Sequence, residues 1–222
     1  MHTKQMAGEA ATQYIEEGMT IGLGTGSTVY WTIKKLGKLV SEGLDISAVP
    51  TSKHTEKLAN ENGIPLIPLS KVTKLDVTID GADEVNPDLD LIKGGGGALL
   101  REKIIASNSR RLIIVVDETK CVSTLGHFPL PVEIVQFGLE ITIRQLQELN
   151  CNPALRLRNG DPFVTDNGNY IVDCKFDAIA DPQELCKKIN MIPGVIENGI
   201  FSKMADIVVV GRDHDAIDLL SR

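Results

Sequence analysis

The chain has 222 residues, 42% of them hydrophobic and 24% charged, with a formal net charge of −7. That length holds one large domain, or a domain with a smaller companion. The acidic balance argues against a nucleic-acid partner, and no apolar run approaches the ~18 residues of a membrane span. Residues 1–9 are polar and lack the apolar core of a secretory signal. The cysteines at 121, 151, 174 and 186 show neither Cys-x-x-Cys spacing nor paired histidines. A reducing, cytoplasmic setting without zinc or disulfides is the expectation.

In chain order, residues 3–17 are predicted to be a helix, with Met6, Ala10, Ala11, Tyr14 and Ile15 at helical spacing and Gly18 ending it. A strand over 19–23 leads into Gly24-Thr25-Gly26-Ser27-Thr28. Ser27 or Thr28 is then the N-cap of a helix reaching about Ser41. A strand over 48–51, a helix over 53–62 and a short strand over 65–69 follow. The next strand, 75–79, ends in Asp80-Gly81-Ala82-Asp83-Glu84. A strand over 89–92 runs into Lys93 and four consecutive glycines, and a helix over 98–106 follows. Residues 111–117 contain Leu-Ile-Ile-Val-Val, the unbroken apolar run of a strand buried on both faces. This alternation predicts a doubly wound, mostly parallel α/β domain over residues 1–127.

The pattern changes near Phe128-Pro129-Leu130-Pro131. Strands are predicted over 132–135, 154–158, 170–176 and 194–201, with helices over 138–149 and from Asp181-Pro182. The order β-α-β-β-α-β is that of a ferredoxin-like plait, placed here at 128–204. Residues 205–222 return to the first domain, with a strand over 207–210 and a short helix from Asp213. The plait is thus an insertion near the C-terminus of the larger unit.

The chemistry gathers around Lys93–Lys103. Four adjacent glycines are entropically costly to order, and a plain turn needs one or two. Such a run lets backbone N–H groups approach a ligand beside the positive end of a helix. Glu102 sits one turn into that helix. Gly24–Thr28 fails the dinucleotide fingerprint, because its third glycine position is Ser27. It suits a phosphate monoester instead, with Thr25, Gly26, Ser27 and Thr28 supplying N–H groups and hydroxyls. Asp80 and Asp83 lie at a strand end, where open α/β sheets bind ligands. With Lys93 and Glu102 they form a set suited to moving protons. Glu84 is assigned to a solvated acidic turn. Lys120, just past another strand end, is a candidate contact for phosphate or hydroxyl. No histidine or serine has a recognisable triad or nucleophile-elbow context, and no metal cage is complete.

Gly24–Thr28, Asp80–Glu84 and Lys93-Gly94-Gly95-Gly96 with Arg101-Glu102-Lys103-Ile104 together resemble ribose-5-phosphate isomerase of the A type. Phe128–Glu133 and Val164–Asn169 match that family as well. The resemblance covers nearly the whole chain in order. It implies interconversion of ribose 5-phosphate and ribulose 5-phosphate in the pentose phosphate pathway, without metal or organic cofactor. It also implies the inserted plait and a homodimer, or a tetramer. The family's base falls on Glu102. Its substrate contacts fall on Thr25, Gly26, Ser27, Thr28, Asp80, Gly81, Ala82, Asp83, Lys93, Gly94, Gly95, Gly96 and Lys120. Gly97 stands where the family commonly has alanine, and Leu100 where it has threonine. Gly97 is expected to loosen the start of the Glu102 helix by up to ~1 kcal/mol. A coenzyme A transferase, whose glutamate is a nucleophile, and a non-catalytic sugar-phosphate sensor remain the other classes for this kind of chain.

Overall fold

A computed structural model describes residues 2–222 of the chain. The apolar run near residue 115 becomes β6 (Leu112–Asp117), buried at every position. It lies inside a six-stranded sheet with β1 (Thr20–Leu23), β2 (Ser47–Pro50), β3 (Val77–Asp80), β14 (Ile207–Arg212) and β15 (Ala216–Ser221). The order is β15-β14-β6-β3-β1-β2. All neighbours are parallel except the β14–β15 pair. From β1 the chain moves outward to β2, then returns to the other side of β1 as β3. The β1–β3 boundary is therefore the topological switch point, and the loops after both strands open from the same edge.

Helices α1 (His2–Ala10), α2 (Val29–Ser41), α3 (Lys53–Glu61) and α4 (Leu99–Ser107) pack on this sheet. Ile21, Leu23, Ile33, Leu36, Val77, Ile79, Ile113 and Val115 form one core with α1 and α2, and Leu112, Ile114, Val116, Val208 and Val210 form the core on the opposite face. The alternation along β6 sends successive side chains to opposite faces, so a continuous apolar strand serves both. A small antiparallel sheet holds β4 (Glu84–Val85), β5 (Leu91–Ile92) and β13 (Ile200–Phe201).

The segment from Leu130 to Asn198 builds a four-stranded antiparallel sheet in the order β12-β7-β11-β8. Its strands are β7 (Leu130–Ile134), β8 (Asn152–Leu155), β11 (Tyr170–Lys175) and β12 (Val195–Asn198). Helices α5 (Leu139–Gln147) and α6 (Pro182–Asn190) make the crossovers. Their apolar faces meet the sheet around Leu130, Val132, Leu146, Val172 and Ile189. A short pair, β9 (Leu157–Arg158) and β10 (Asp161–Pro162), projects between β8 and β11. Among the described residues, no helix is long and apolar enough to cross a membrane.

Four expectations need correction. The strand over 65–69 is a single parallel bridge, Ala48 to Leu66. Pro65 and Pro68 lack the N–H that a ladder requires. The strand over 89–92 shrinks to Leu91–Ile92, because Leu89 has φ of 57° in the preceding turn. The strand over 194–201 divides at Gly199, β12 joining the four-stranded sheet and β13 pairing with β5. The helix from Asp213 is instead strand β15: His214 and Asp215 have φ of 62° and 61°, and Arg212 pairs with Ala216 across the turn. Two left-handed residues in a row make a hairpin turn whose twist suits the flanking strands.

Candidate active site

At the open edge of the switch point, a cavity of about 130 Å³ is lined by Thr25, Gly26, Ser27, Thr28, Gly81, Ala82, Asp83, Lys93, Gly94, Gly95, Gly96, Glu102 and Lys120. These were all candidates from sequence. Asp80, the remaining candidate, lies just beneath, fully buried, with Lys93 and Glu102 at 2% and 4% exposure. A larger cavity, about 520 Å³, lies off the site and is lined by Ile104, Ile105 and residues from Val49 to Leu69 with Arg101. It lacks the converging set of buried charges found at the smaller cavity, which is therefore the candidate site.

Lys93 is the centre of the arrangement. It follows β5, and its Nζ lies 3.0 Å from Asp80 Oδ2 and 3.4 Å from Glu102 Oε2. It also donates to the Gly81 carbonyl at 2.5 Å. Phe201 lies beneath the ammonium, 5.3 Å from ring centre to Nζ. Asp80 is fixed at the end of β3, where Oδ1 accepts from the N–H groups of Thr25 (3.0 Å) and Gly81 (2.7 Å). Glu102 projects from the first turn of α4. Its neighbour Lys103 reaches away to Glu197 and the Asn198 carbonyl, at 2.8 and 2.6 Å, which fixes the rotation of α4 against β12 of the four-stranded sheet.

One cation among three carboxylates sets the proton affinities. Burial pushes Glu102 up to about 8, against the pull of Lys93, with Asp80 and Asp83 adding to the rise. Burial likewise raises Asp80, opposed by Lys93 and the two backbone donors. Burial works against the charge on Lys93, but Asp80 and Glu102 outweigh it and the ammonium is held more firmly than usual. The site thus keeps a fixed positive charge beside a carboxyl whose proton is exchangeable near neutral pH.

The glycine run folds over this group. Asp83 Oδ2 accepts from Gly95 N–H at 2.7 Å, and a Cβ at Gly95 would lie 2.5 Å from Asp83 Oδ1. Gly97 has φ of +82°, and a Cβ there would meet the Phe163 ring at 2.4 Å. It precedes the N-cap position of α4, Ala98. The expected loosening of the helix therefore does not arise, because Gly97 is not a helical residue.

The loop after β1 forms the opposite wall. Thr28 occupies the N-cap position of α2 but makes no side-chain cap hydrogen bond. Neither capping candidate spends its hydroxyl on the helix. Ser27 Oγ instead accepts from Lys4 Nζ at 3.1 Å. Thr25 Oγ1 lies 2.8–3.0 Å from the hydroxyls of Thr51, Ser52 and Thr55, so it locks the loop onto the start of α3.

Lys4 was missed by sequence reasoning. It reaches the cavity from α1, which is fastened to α2 by the Thr32 hydroxyl donating to Gly8 O at 2.8 Å. An isolated lysine on an amphipathic helix carries no signal of its own. Glu84 was misread. It is 2% exposed and accepts from the N–H groups of Gly126 and Phe128, tying β4 to the chain entering β7. Glu133 is fully buried and takes hydrogen bonds from Thr165, Asn167 and Asn169 at 2.9–3.1 Å. Asp166 and Asn167 of that turn then hold the Lys53 N–H and Arg101. The Phe128–Glu133 and Val164–Asn169 stretches are structural supports for α3 and α4.

The family model for ribose 5-phosphate isomerase A (phosphoriboisomerase A) matches residues 47–215. Ribose-5-phosphate isomerase A of Bacillus mycoides strain KBAB4 is 56% identical over 215 residues, covering 96% of this chain and 97% of that protein. The Maricaulis maris enzyme is 48% identical over 225 residues, covering 97% of each. Among solved structures, a D-ribose-5-phosphate isomerase in complex with phospho-erythronic acid superposes with a TM-score of 0.96 at 44% identity, covering 100% of this chain and 98% of that one. Ribose 5-phosphate isomerase from Plasmodium falciparum gives 0.96 at 41% identity, with the same coverage. By these measures and by the site they surround, this chain belongs to the ribose-5-phosphate isomerase A family.

Proposed function

We propose that Glu102 is the base with which this chain, an aldose-ketose isomerase, interconverts D-ribose 5-phosphate and D-ribulose 5-phosphate through an enediolate in the pentose phosphate pathway. The observation carrying this reading is the buried Lys93 between Asp80 and Glu102 under the glycine run. The open-chain aldose places its phosphate toward Lys4, Ser27, Thr28 and Lys120, where the cations and an uncapped helix start favour an anion. Its C1–C2 end then lies toward Glu102. The carboxylate takes the C2 proton and returns it to C1. Oxyanion charge grows on the adjoining oxygens, next to the ammonium of Lys93 and the glycine N–H groups. In this reading Asp83, at the cavity wall, passes the hydroxyl proton between O1 and O2, and the buried Asp80 supports the step by holding Lys93 beside it. No metal or organic cofactor has a step in this scheme.

A base must be ionised to act. With Glu102 at about 8, kcat/KM should rise tenfold per pH unit on the acid side and level off near pH 8. A profile that stays flat from pH 5 to 9 would exclude Glu102 as the titrating base.

The scheme is tested by turning over ribose 5-phosphate in D₂O. One carboxylate working on one face of a planar intermediate should place deuterium in one of the two C1 positions of the product, read by NMR after short incubation. Product free of deuterium, with full retention of a C2 label at C1, would indicate hydride transfer and overturn the scheme.

The same reading extends to the architecture. Residues 1–127 with 205–222 act as a Rossmann-like catalytic domain, and 128–204 as an inserted ferredoxin-like plait. Support comes from the antiparallel order β12-β7-β11-β8 with two crossover helices. A cytoplasmic homodimer, with a tetramer as its larger form, is the proposed state. Exposed apolar side chains support association, among them Phe137 at 93% and Leu219 at 56% on edge strand β15.

A further inference from the structure

The outer side of the glycine run is held by a residue that the isomerase scheme does not use. Arg156 stands between β8 and β9, and its Nη1 donates to the carbonyls of Gly94 and Gly95, both at 3.0 Å. Its other edge is occupied by Asp173 of β11, through Nε (2.8 Å) and Nη2 (2.5 Å). Planar, doubly anchored and half-sheltered by the Phe163 ring at 5.8 Å, the guanidinium has little freedom left.

The direction of those two carbonyls matters. In a trans peptide, a C=O and the N–H of the following residue point in opposite directions. Drawing Gly94 O and Gly95 O outward toward Arg156 therefore turns the N–H groups of Gly95 and Gly96 the other way, toward the cavity. The first is seen there, on Asp83 Oδ2 at 2.7 Å. The second has no hydrogen-bond partner among the described residues. A positive charge on each carbonyl also polarises its peptide, making the opposite N–H a stronger donor.

We propose that Arg156, held by Asp173, is a positioning residue for the isomerisation: it keeps the Gly95 N–H on Asp83 and aims and polarises the Gly96 N–H toward the oxyanion of the enediolate. The proposal rests on the reading of the glycine run as the oxyanion cradle. It gives residues 128–204 a part in catalysis at a distance from the substrate, since Arg156 touches only the back of the loop.

The test compares wild type with Arg156→Met, Arg156→Lys and Asp173→Asn. It measures kcat, KM, thermal midpoint, and inhibition by phospho-erythronic acid and by inorganic phosphate. Phospho-erythronic acid presents a carboxylate where the intermediate carries its oxygens, whereas inorganic phosphate reports the Lys4–Lys120 end alone. Arg156→Met should lower kcat about 10- to 100-fold, less than loss of a whole oxyanion donor. KM should change less than about threefold. Inhibition by phospho-erythronic acid should weaken by the same factor as kcat, and inhibition by phosphate should not move. Arg156→Lys and Asp173→Asn should fall between. If Arg156→Met does not fold, the same pair of inhibition ratios in Arg156→Lys decides. Unchanged kcat, or equal weakening of both inhibitors, would overturn the proposal. If wild type binds phospho-erythronic acid no tighter than phosphate, the cradle reading itself fails, and that result is distinguishable from failure of Arg156 alone.

Discussion

Replacing Glu102 by Gln lowers kcat by about two to four orders of magnitude, the usual contribution of a positioned general base, and leaves the fold intact. The amide keeps the size of the side chain and its packing on α4 but cannot accept the C2 proton. Retention of a quarter of wild-type turnover would remove Glu102 from the mechanism. The same variant reports the buried charge through stability. Glu102 has an ordinary value of 4.5 and is held at about 8 in the folded chain. Its protonated form is thus favoured by folding. The stability tied to that proton is complete below about pH 4.5 and is lost as pH climbs through 8. Glutamine carries no such liability. Wild type and Glu102→Gln should therefore melt nearly together at pH 5, and the variant should be more stable by about 2–4 kcal/mol at pH 9. Parallel melting curves across that range would mean that the carboxyl is ionised at ordinary pH and that the site balances its charges differently.

Much of this site is legible in the sequence, for a physical reason. Open α/β sheets gather loops from distant positions at one edge. The ends of β1, β3 and β6, marked by Gly24–Thr28, Asp80–Asp83 and Lys120, therefore point to one edge, whereas Lys93–Gly96 follows β5 of the antiparallel sheet and joins the set through its glycine run and the family resemblance. Groups whose role depends on a tertiary neighbour were not readable. Lys4 acquires meaning from Ser27, 23 positions away, and Arg156 from two carbonyls more than 60 residues back. Glu84 shared its sequence setting with Asp80 and Asp83, yet the β4–β5 pairing turns it inward to two amides. The misread C-terminus has a similar cause. Ile217 and Leu220 are spaced as on a helix, but pairing with β14 decides the conformation. Local periodicity is a weak signal where an open sheet edge offers a full row of hydrogen bonds.

Lys93→Met should be the most damaging single change, acting on stability and chemistry together. Removing a buried cation leaves Asp80 and Glu102 without their counter-charge, a loss of about 3–5 kcal/mol for a broken buried pair. Both carboxyls respond by holding protons more tightly. Glu102, already at about 8, then stays protonated over the working range and cannot act as a base. The enediolate also loses its nearest positive charge. Turnover should fall by at least about three orders of magnitude, a larger loss than a single oxyanion donor gives. The destabilisation should shrink as pH is lowered toward 5, because protonated carboxyls no longer need the ammonium. A double substitution separates the two effects. Lys93→Met with Glu102→Gln removes one of the stranded carboxyls, so the pair should be clearly more stable at pH 8 than the sum of the single changes. Its activity should be no lower than that of the worse single variant, since both disable the same proton transfer. Strict additivity in the melting temperatures, or a Lys93→Met enzyme within tenfold of wild type, would show that the ammonium 3.4 Å from Glu102 neither sets its charge nor stabilises the reaction.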